Sequence, residues 1–164
     1  MPSTALGWLD FLVPKDPSSR RIARDLRFGP DSRHVLDLYA PRQPRGPLPL
    51  CVFVHGGGWD SGDRREYGFA GRALAALGFL VACADYRVFP QAVFPAFVED
   101  LAAAANWLAG HAKEYGGDPE RLFLVGHSAG AYNAVIFALQ PARFGAPALA
   151  GRIEAVVGLS GPYD

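Results

Sequence analysis

From residue 50 onward the chain alternates between short runs that are apolar at nearly every position and longer stretches with apolar residues every third or fourth place. Residues 50–55 (LCVFVH), 79–85 (FLVACAD), 121–126 (RLFLVG) and 155–160 (AVVGLS) are the unbroken runs. A run without polar alternates is what a strand buried on both faces of a parallel sheet requires. Between them, residues 65–77, 95–114 and 129–139 carry helical spacing. Gly78 stops the first at a natural C′ position, Pro95 opens the second ahead of Glu99 and Asp100, and Pro141 ends the third. Upstream, residues 24–28 and 33–39 are short alternating segments joined by Gly29-Pro30-Asp31-Ser32, which predicts an antiparallel hairpin. A linker punctuated by Pro41, Pro44, Pro47 and Pro49 follows it.

After the hairpin the order is β-α-β-α-β-α-β. It predicts an α/β fold: a three-layer α/β/α sandwich whose sheet is mostly parallel, with the antiparallel hairpin at its N-terminal side. Residues 1–22 read as an N-terminal segment and residues 23–164 as part of one domain. Ligands of such sheets bind beyond the carboxyl ends of the strands, so chemistry is to be sought there.

Composition changes this picture little. The 19 glycines and 14 prolines lie scattered between apolar runs, which suits many tight connections and not disorder. Formal net charge is zero, so nothing points to nucleic acid or to an anionic membrane surface. No run approaches the ~18 apolar residues of a bilayer span, and residues 1–10 lack the pattern of a secretion signal, so a cytoplasmic location is expected. Cys51 and Cys83 each sit in an apolar run and read as buried reduced thiols, with a disulfide between neighbouring strands as the alternative.

Two motifs occupy the tips of predicted strands. Gly126-His127-Ser128-Ala129-Gly130 fits G-x-S-x-G between a buried strand and a helix. A serine on so sharp a turn needs glycines beside it, and the following helix directs its positive end at a developing oxyanion. His55-Gly56-Gly57-Gly58-Trp59 follows the first buried strand, and its glycines let backbone N–H groups face a ligand with no Cβ in the way. In this composition chance produces the first pattern about 0.1 times per chain and HGGG about 0.006 times. Both, in this order at two strand tips, are not coincidence.

With these motifs the sequence resembles the α/β-hydrolase superfamily. The likeness is to its HGGG-bearing carboxylesterase and acetylesterase branch, which includes hormone-sensitive-lipase-like and feruloyl-esterase-like enzymes. Asp85-Tyr86-Arg87, Phe94-Pro95 with Glu99-Asp100, and the 116–121 segment (GGDPER) extend it from the hairpin to the last residue. The resemblance implies Ser128 as nucleophile and the N–H groups of Gly57, Gly58 and Ala129 as oxyanion donors. It implies a small-molecule ester as substrate, cleaved through an acyl-enzyme with no metal or organic cofactor. An aromatic pocket of Trp59, Tyr86 and Phe89 is one reading of those residues, and packing around the loop is the other.

The departure from the family concerns the general base. The triad order in this fold is Ser, then Asp or Glu, then His, yet His34, His55, His111 and His127 all precede Ser128. His34 reads as a surface residue of the hairpin, His55 as support for the glycines, and His127 as a neighbour pointing away from the nucleophile. His111 lies late in the long helix, about 20 Å or more from the site at ~1.5 Å per residue. Asp164 lies just past the last strand, where a loop or capping role competes with that of the triad acid. The chain is therefore expected to be an incomplete α/β-hydrolase fold, short of two βα units that carry acid and histidine. The edge of its last strand is then left open to a C-terminal complementing chain or to self-association. Two other activities remain open: an arylformamidase-type amide hydrolase, and a degenerate, non-catalytic domain that binds acyl compounds.

Overall fold

A computed structural model describes residues 4–163. Six strands form one mixed sheet in the order β1-β2-β4-β3-β5-β6. They are β1 (Ser19–Arg27), β2 (Val35–Pro41), β3 (Leu48–Val54), β4 (Leu80–Ala84), β5 (Gly117–His127) and β6 (Ile153–Leu159). The hairpin β1–β2 is antiparallel, β2 joins β4 antiparallel, and β4, β3, β5 and β6 run parallel. The helices are α1 (Ala5–Leu12), α2 (Gly68–Ala76), α3 (Ala96–His111) and α4 (Ala129–Leu139).

The unbroken apolar runs are explained by cover on both faces. Along β3, Leu50, Val52 and Val54 face one core together with Leu101, Leu108 and Phe137 of α3 and α4. The alternate residues Cys51 and Phe53 face a second core with Ala75 of α2 and Leu6 of α1. β4 divides in the same way, Leu80 and Ala82 against Val81 and Cys83. The three expected layers are present, and both cysteines are buried and unlinked. No helix among the described residues is long and apolar enough to cross a membrane.

Several elements differ from their sequence reading. The N-terminal segment holds α1, capped by the Thr4 hydroxyl, which accepts from the Gly7 amide at 3.0 Å. β1 begins at Ser19, inside the segment read as residues 1–22. It is the edge strand and mostly solvent-facing, so its sequence (SRRIARDLR) carries little apolar signal. The helix expected over residues 65–77 divides into a 3-10 turn, Arg64–Tyr67, and α2. β6 is not buried like the other parallel strands. Among the described residues it pairs only with β5, and α4 covers one of its faces, leaving Val157 and Leu159 each 49% exposed on the other.

Candidate active site

β5 ends at His127 and α4 begins at Ala129, so Ser128 alone makes the change of direction. Its backbone has φ 53° and ψ −120°, a conformation that strains a residue bearing a Cβ by about 1–3 kcal/mol. Three hydrogen bonds hold it there. The Ser128 amide donates to the Leu159 carbonyl at the end of β6 (2.8 Å), and the Ser128 carbonyl accepts from Ala131 (2.9 Å) and Tyr132 (3.3 Å). The flanking glycines are required by close approach. A Cβ on Gly126 would lie 2.3 Å from the Gly130 carbonyl oxygen; one on Gly130 would lie 2.3 Å from that of Val54 and 2.4 Å from that of His55. The spacing of G-x-S-x-G thus records where α4 presses on β3. Ser128 is half-buried, at the positive end of α4.

The loop after β3 lies directly against this turn. A Cβ on Gly56 would stand 2.9 Å from His127 Nδ1 and 3.1 Å from Ser128 Cβ. Gly57, at φ 129°, closes a turn in which its carbonyl accepts from the amides of Asp60 (3.2 Å) and Ser61 (3.0 Å) and from the Ser61 hydroxyl (2.8 Å). Among the described residues, the N–H groups of Gly57, Gly58 and Ala129 meet no acceptor, and no side chain or backbone group hydrogen-bonds the Ser128 hydroxyl.

Beneath the loop is a buried polar layer. His55 Nδ1 lies 2.7 Å from the Gly56 carbonyl oxygen; a carbonyl can only accept, so Nδ1 carries the proton. The other ring nitrogen lies 3.3 Å from Asp85. The imidazole stacks on Tyr86 at 4.4 Å, and the Tyr86 hydroxyl donates to the His55 carbonyl at 3.1 Å. Asp85 accepts from the amide of Arg64 (2.7 Å) and from its guanidinium, which also binds Asp37 (3.1 Å) and Asp25. Arg33 donates to the carbonyls of Tyr86 (2.6 Å) and Gly62 (2.8 Å), joining the same layer to the far side of the loop.

None of the four histidines is placed to take a proton from Ser128. His55 is buried in the layer just described. His34 is not a surface residue: it is 8% exposed, stacks on Phe28 and stands 3.0 Å from Asp100, because the hairpin turn folds over the start of α3. His111 ends α3, where it stacks on Trp107 at 4.2 Å; the rise of that helix sets it about 22 Å from Ala96 at its start. His127 turns Nδ1 to the hydroxyl of Tyr67, at 2.9 Å. Asp100 forks onto Arg87 (2.7–3.1 Å), and Glu99 lies in the first turn of α3. Asp164, read as loop residue or acid, lies outside the described residues.

Of the three aromatic residues considered for a pocket, two stand beside the loop. Trp59 is half-buried, donates its indole N–H to Asn133 Oδ1 (2.9 Å) and meets Tyr132 edge-on at 5.6 Å. Its carbonyl accepts from the amide of Phe89 (2.7 Å), whose ring is 57% exposed. Tyr86, at 1% exposure, supports the loop from below and has no surface to offer a ligand. Tyr67, Tyr132 and Asn133 had no signal in the sequence, being an aromatic in a charged turn and two ordinary positions on a helix. A groove of about 790 Å³ lined by Pro17, Arg42, Arg45, Leu48 and Gly78 lies at the opposite end of the sheet, where β3 and β4 start.

Comparison with known proteins places the chain among esterases by resemblance. A probable isoprenylcysteine alpha-carbonyl methylesterase of Oryza sativa is 38% identical over 154 residues, 89% of this chain and 36% of that protein. The carboxylesterase NlhH of Mycobacterium tuberculosis is 36% identical over 113 residues, 68% of this chain and 35% of its own. The chain thus spans about a third of the length of these curated relatives. Esterase B from Lactobacillus rhamnosis superposes with a TM-score of 0.79 at 25% identity, covering 93% of this chain and 52% of that one. A family model, BD-FAE, matches residues 36–164, from the second strand through both glycine motifs. The chain belongs to the BD-FAE family of α/β-hydrolase esterases.

Proposed function

We propose that the protein hydrolyses carboxylic esters of small acyl substrates, with Ser128 as nucleophile. One observation carries the reading: a serine at φ 53° at the tip of α4, packed against the glycine loop, with backbone amides of Gly57, Gly58 and Ala129 that meet no acceptor among the described residues. The Ser128 hydroxyl adds to the ester carbonyl carbon, and the carbonyl oxygen becomes an oxyanion that those amides bind. Collapse expels the alcohol, which takes up a proton, and leaves an acyl-serine. Water then adds to the same carbonyl, and the acid departs as the serine hydroxyl is restored.

Among the described residues none of the four histidines is placed to accept the proton of either step, each being engaged elsewhere. Among the described residues β6 is paired on one edge alone, and a segment bearing a proton acceptor would join at the other. The last carbonyl of β6 already bonds the Ser128 amide, so a strand or chain added there is carried alongside the nucleophile.

The test is hydrolysis of p-nitrophenyl acetate and butyrate by the protein that carries this chain, with labelling by a fluorophosphonate. Ser128→Ala is expected to lower kcat by at least a thousandfold and to abolish labelling, with KM little changed. Turnover surviving in Ser128→Ala would remove the proposal.

A further inference from the structure

We infer that Tyr67 is a positioning residue for this chemistry: its hydroxyl pins the oxyanion loop to the nucleophile turn. The inference rests on the esterase reading above and assigns a role to a residue that neither glycine motif contains.

The Tyr67 oxygen stands between the two loops. It accepts from the Gly56 amide at 3.3 Å and lies 2.9 Å from His127 Nδ1. The phenol proton meets no other acceptor among the described residues, so we assign His127 Nδ1 as its acceptor, with that ring's proton on Nε2. Gly56 immediately precedes the donor Gly57, and His127 immediately precedes Ser128. One oxygen atom therefore sets the separation of the two backbones that must face the same substrate carbonyl. Those backbones are already as close as glycine allows, with the would-be Gly56 Cβ 3.1 Å from Ser128 Cβ.

The Gly56 residue is held from two directions. Its amide goes to Tyr67, and its carbonyl goes to His55 at 2.7 Å. The carbonyl of Gly56 and the N–H of Gly57 share one planar trans peptide and point in opposite directions. Fixing Gly56 at both groups therefore aims the Gly57 donor. On the other flank of Ser128, Trp59 and Asn133 join the same two segments at 2.9 Å. The serine thus sits between two staples.

Tyr67 itself has little freedom. Its ring is 3% exposed and packs on Phe53 at 5.2 Å and Phe69 at 6.1 Å. It ends the 3-10 turn that starts at Arg64, which the buried carboxylates Asp37 and Asp85 anchor. The phenol is consequently delivered from a fixed point, and burial favours its protonated form.

The experiment compares Tyr67→Phe and His127→Phe, singly and together, with the parent protein and Ser128→Ala. Tyr67→Phe deletes one oxygen and keeps the ring. It is expected to lower kcat about 10- to 100-fold, as for a small displacement of an aligned donor, with KM within twofold. His127→Phe is expected to lower kcat less, because the Gly56–Tyr67 bond remains, and the double variant to be no worse than Tyr67→Phe alone. A second readout is independent of turnover: the ¹⁵N shift of His127 Nδ1, which should move to that of an unbonded acceptor nitrogen in Tyr67→Phe. If Ser128→Ala abolishes turnover while Tyr67→Phe keeps kcat within twofold, or if the His127 shift does not move, the role of Tyr67 is overturned. If Ser128→Ala leaves turnover intact, the esterase reading fails, and the His127 signal still reports whether the bond exists. Should Tyr67→Phe fail to fold, the loss of kcat at constant KM in His127→Phe decides the matter.

Discussion

Replacing Gly130 by alanine adds one carbon and two hydrogens to the protein, and the structure says where the carbon goes. It lands 2.3 Å from the Val54 carbonyl oxygen and 2.4 Å from that of His55, whereas ordinary contact begins near 3.4 Å. Relief requires about 1 Å of separation between α4 and the end of β3. Both clashing atoms are backbone, so no rotamer change can absorb the strain. Overpacking of a rigid site costs about 1–3 kcal/mol, and with no flexible partner the upper end is expected. Gly110, near the end of α3, supplies the control, because a Cβ there meets nothing within 4 Å. Gly110→Ala should therefore gain about 0.5–1 kcal/mol from helix propensity alone. The same chemical change is predicted to act with opposite sign at two helical glycines, about 4 kcal/mol apart. Urea unfolding followed by circular dichroism, with m checked for constancy, measures both. The activity of Gly130→Ala should also fall, since α4 carries the proposed nucleophile Ser128 and β3 leads into the glycine loop proposed to bind the oxyanion. A Gly130→Ala protein as stable as its parent, or a Gly110→Ala protein as damaged as Gly130→Ala, would show that the packing of α4 on β3 is misread.

Further expectations concern buried groups. Arg64→Met removes the cation from between Asp37 and Asp85, which are 1% and 5% exposed. Breaking a buried ionic group from one side costs about 3–5 kcal/mol, to be read from the unfolding midpoint, and a loss below 1 kcal/mol would contradict the description of this layer. Burial alone pushes the Cys51 thiol up to about 12, and the Cys83 thiol is likewise raised well above its ordinary value, with burial as the main cause. Both then lack thiolate at pH 8. Ellman's reagent should find no reactive thiol in the folded protein and both in denaturant; rapid native reaction of either would refute their placement.

The parts of the fold that were legible in the sequence are those whose environment is the same along the whole element. β3 and β4 are covered on both faces, so each of their residues is apolar, and their limits fall within two residues of the expected ones. β1 was read too short because an edge strand needs no apolar alternate, and its arginines and aspartate face solvent or the ionic layer. β6 has an interior strand's apolar run, yet as the outermost strand it is covered on one face only, so the run does not report its exposure. The glycine motifs were legible because they are steric statements about close approach, which the geometry at Gly56, Gly126 and Gly130 makes explicit. Partners distant in sequence were not. His34 looked like a turn residue until the hairpin closed over Asp100, and Tyr67 is sixty residues from the histidine it meets. No local pattern encodes such a meeting.

The amide of Ser128 finds its acceptor at Leu159, some thirty residues further along the chain. The shape of this turn is therefore not a property of the five-residue motif, and grafting that motif elsewhere would not reproduce it. During folding the serine can settle only after the outermost parallel strand has docked. Fraying of that strand would blunt the serine from a distance, through the loss of a single backbone bond, while every side chain around it stayed in place.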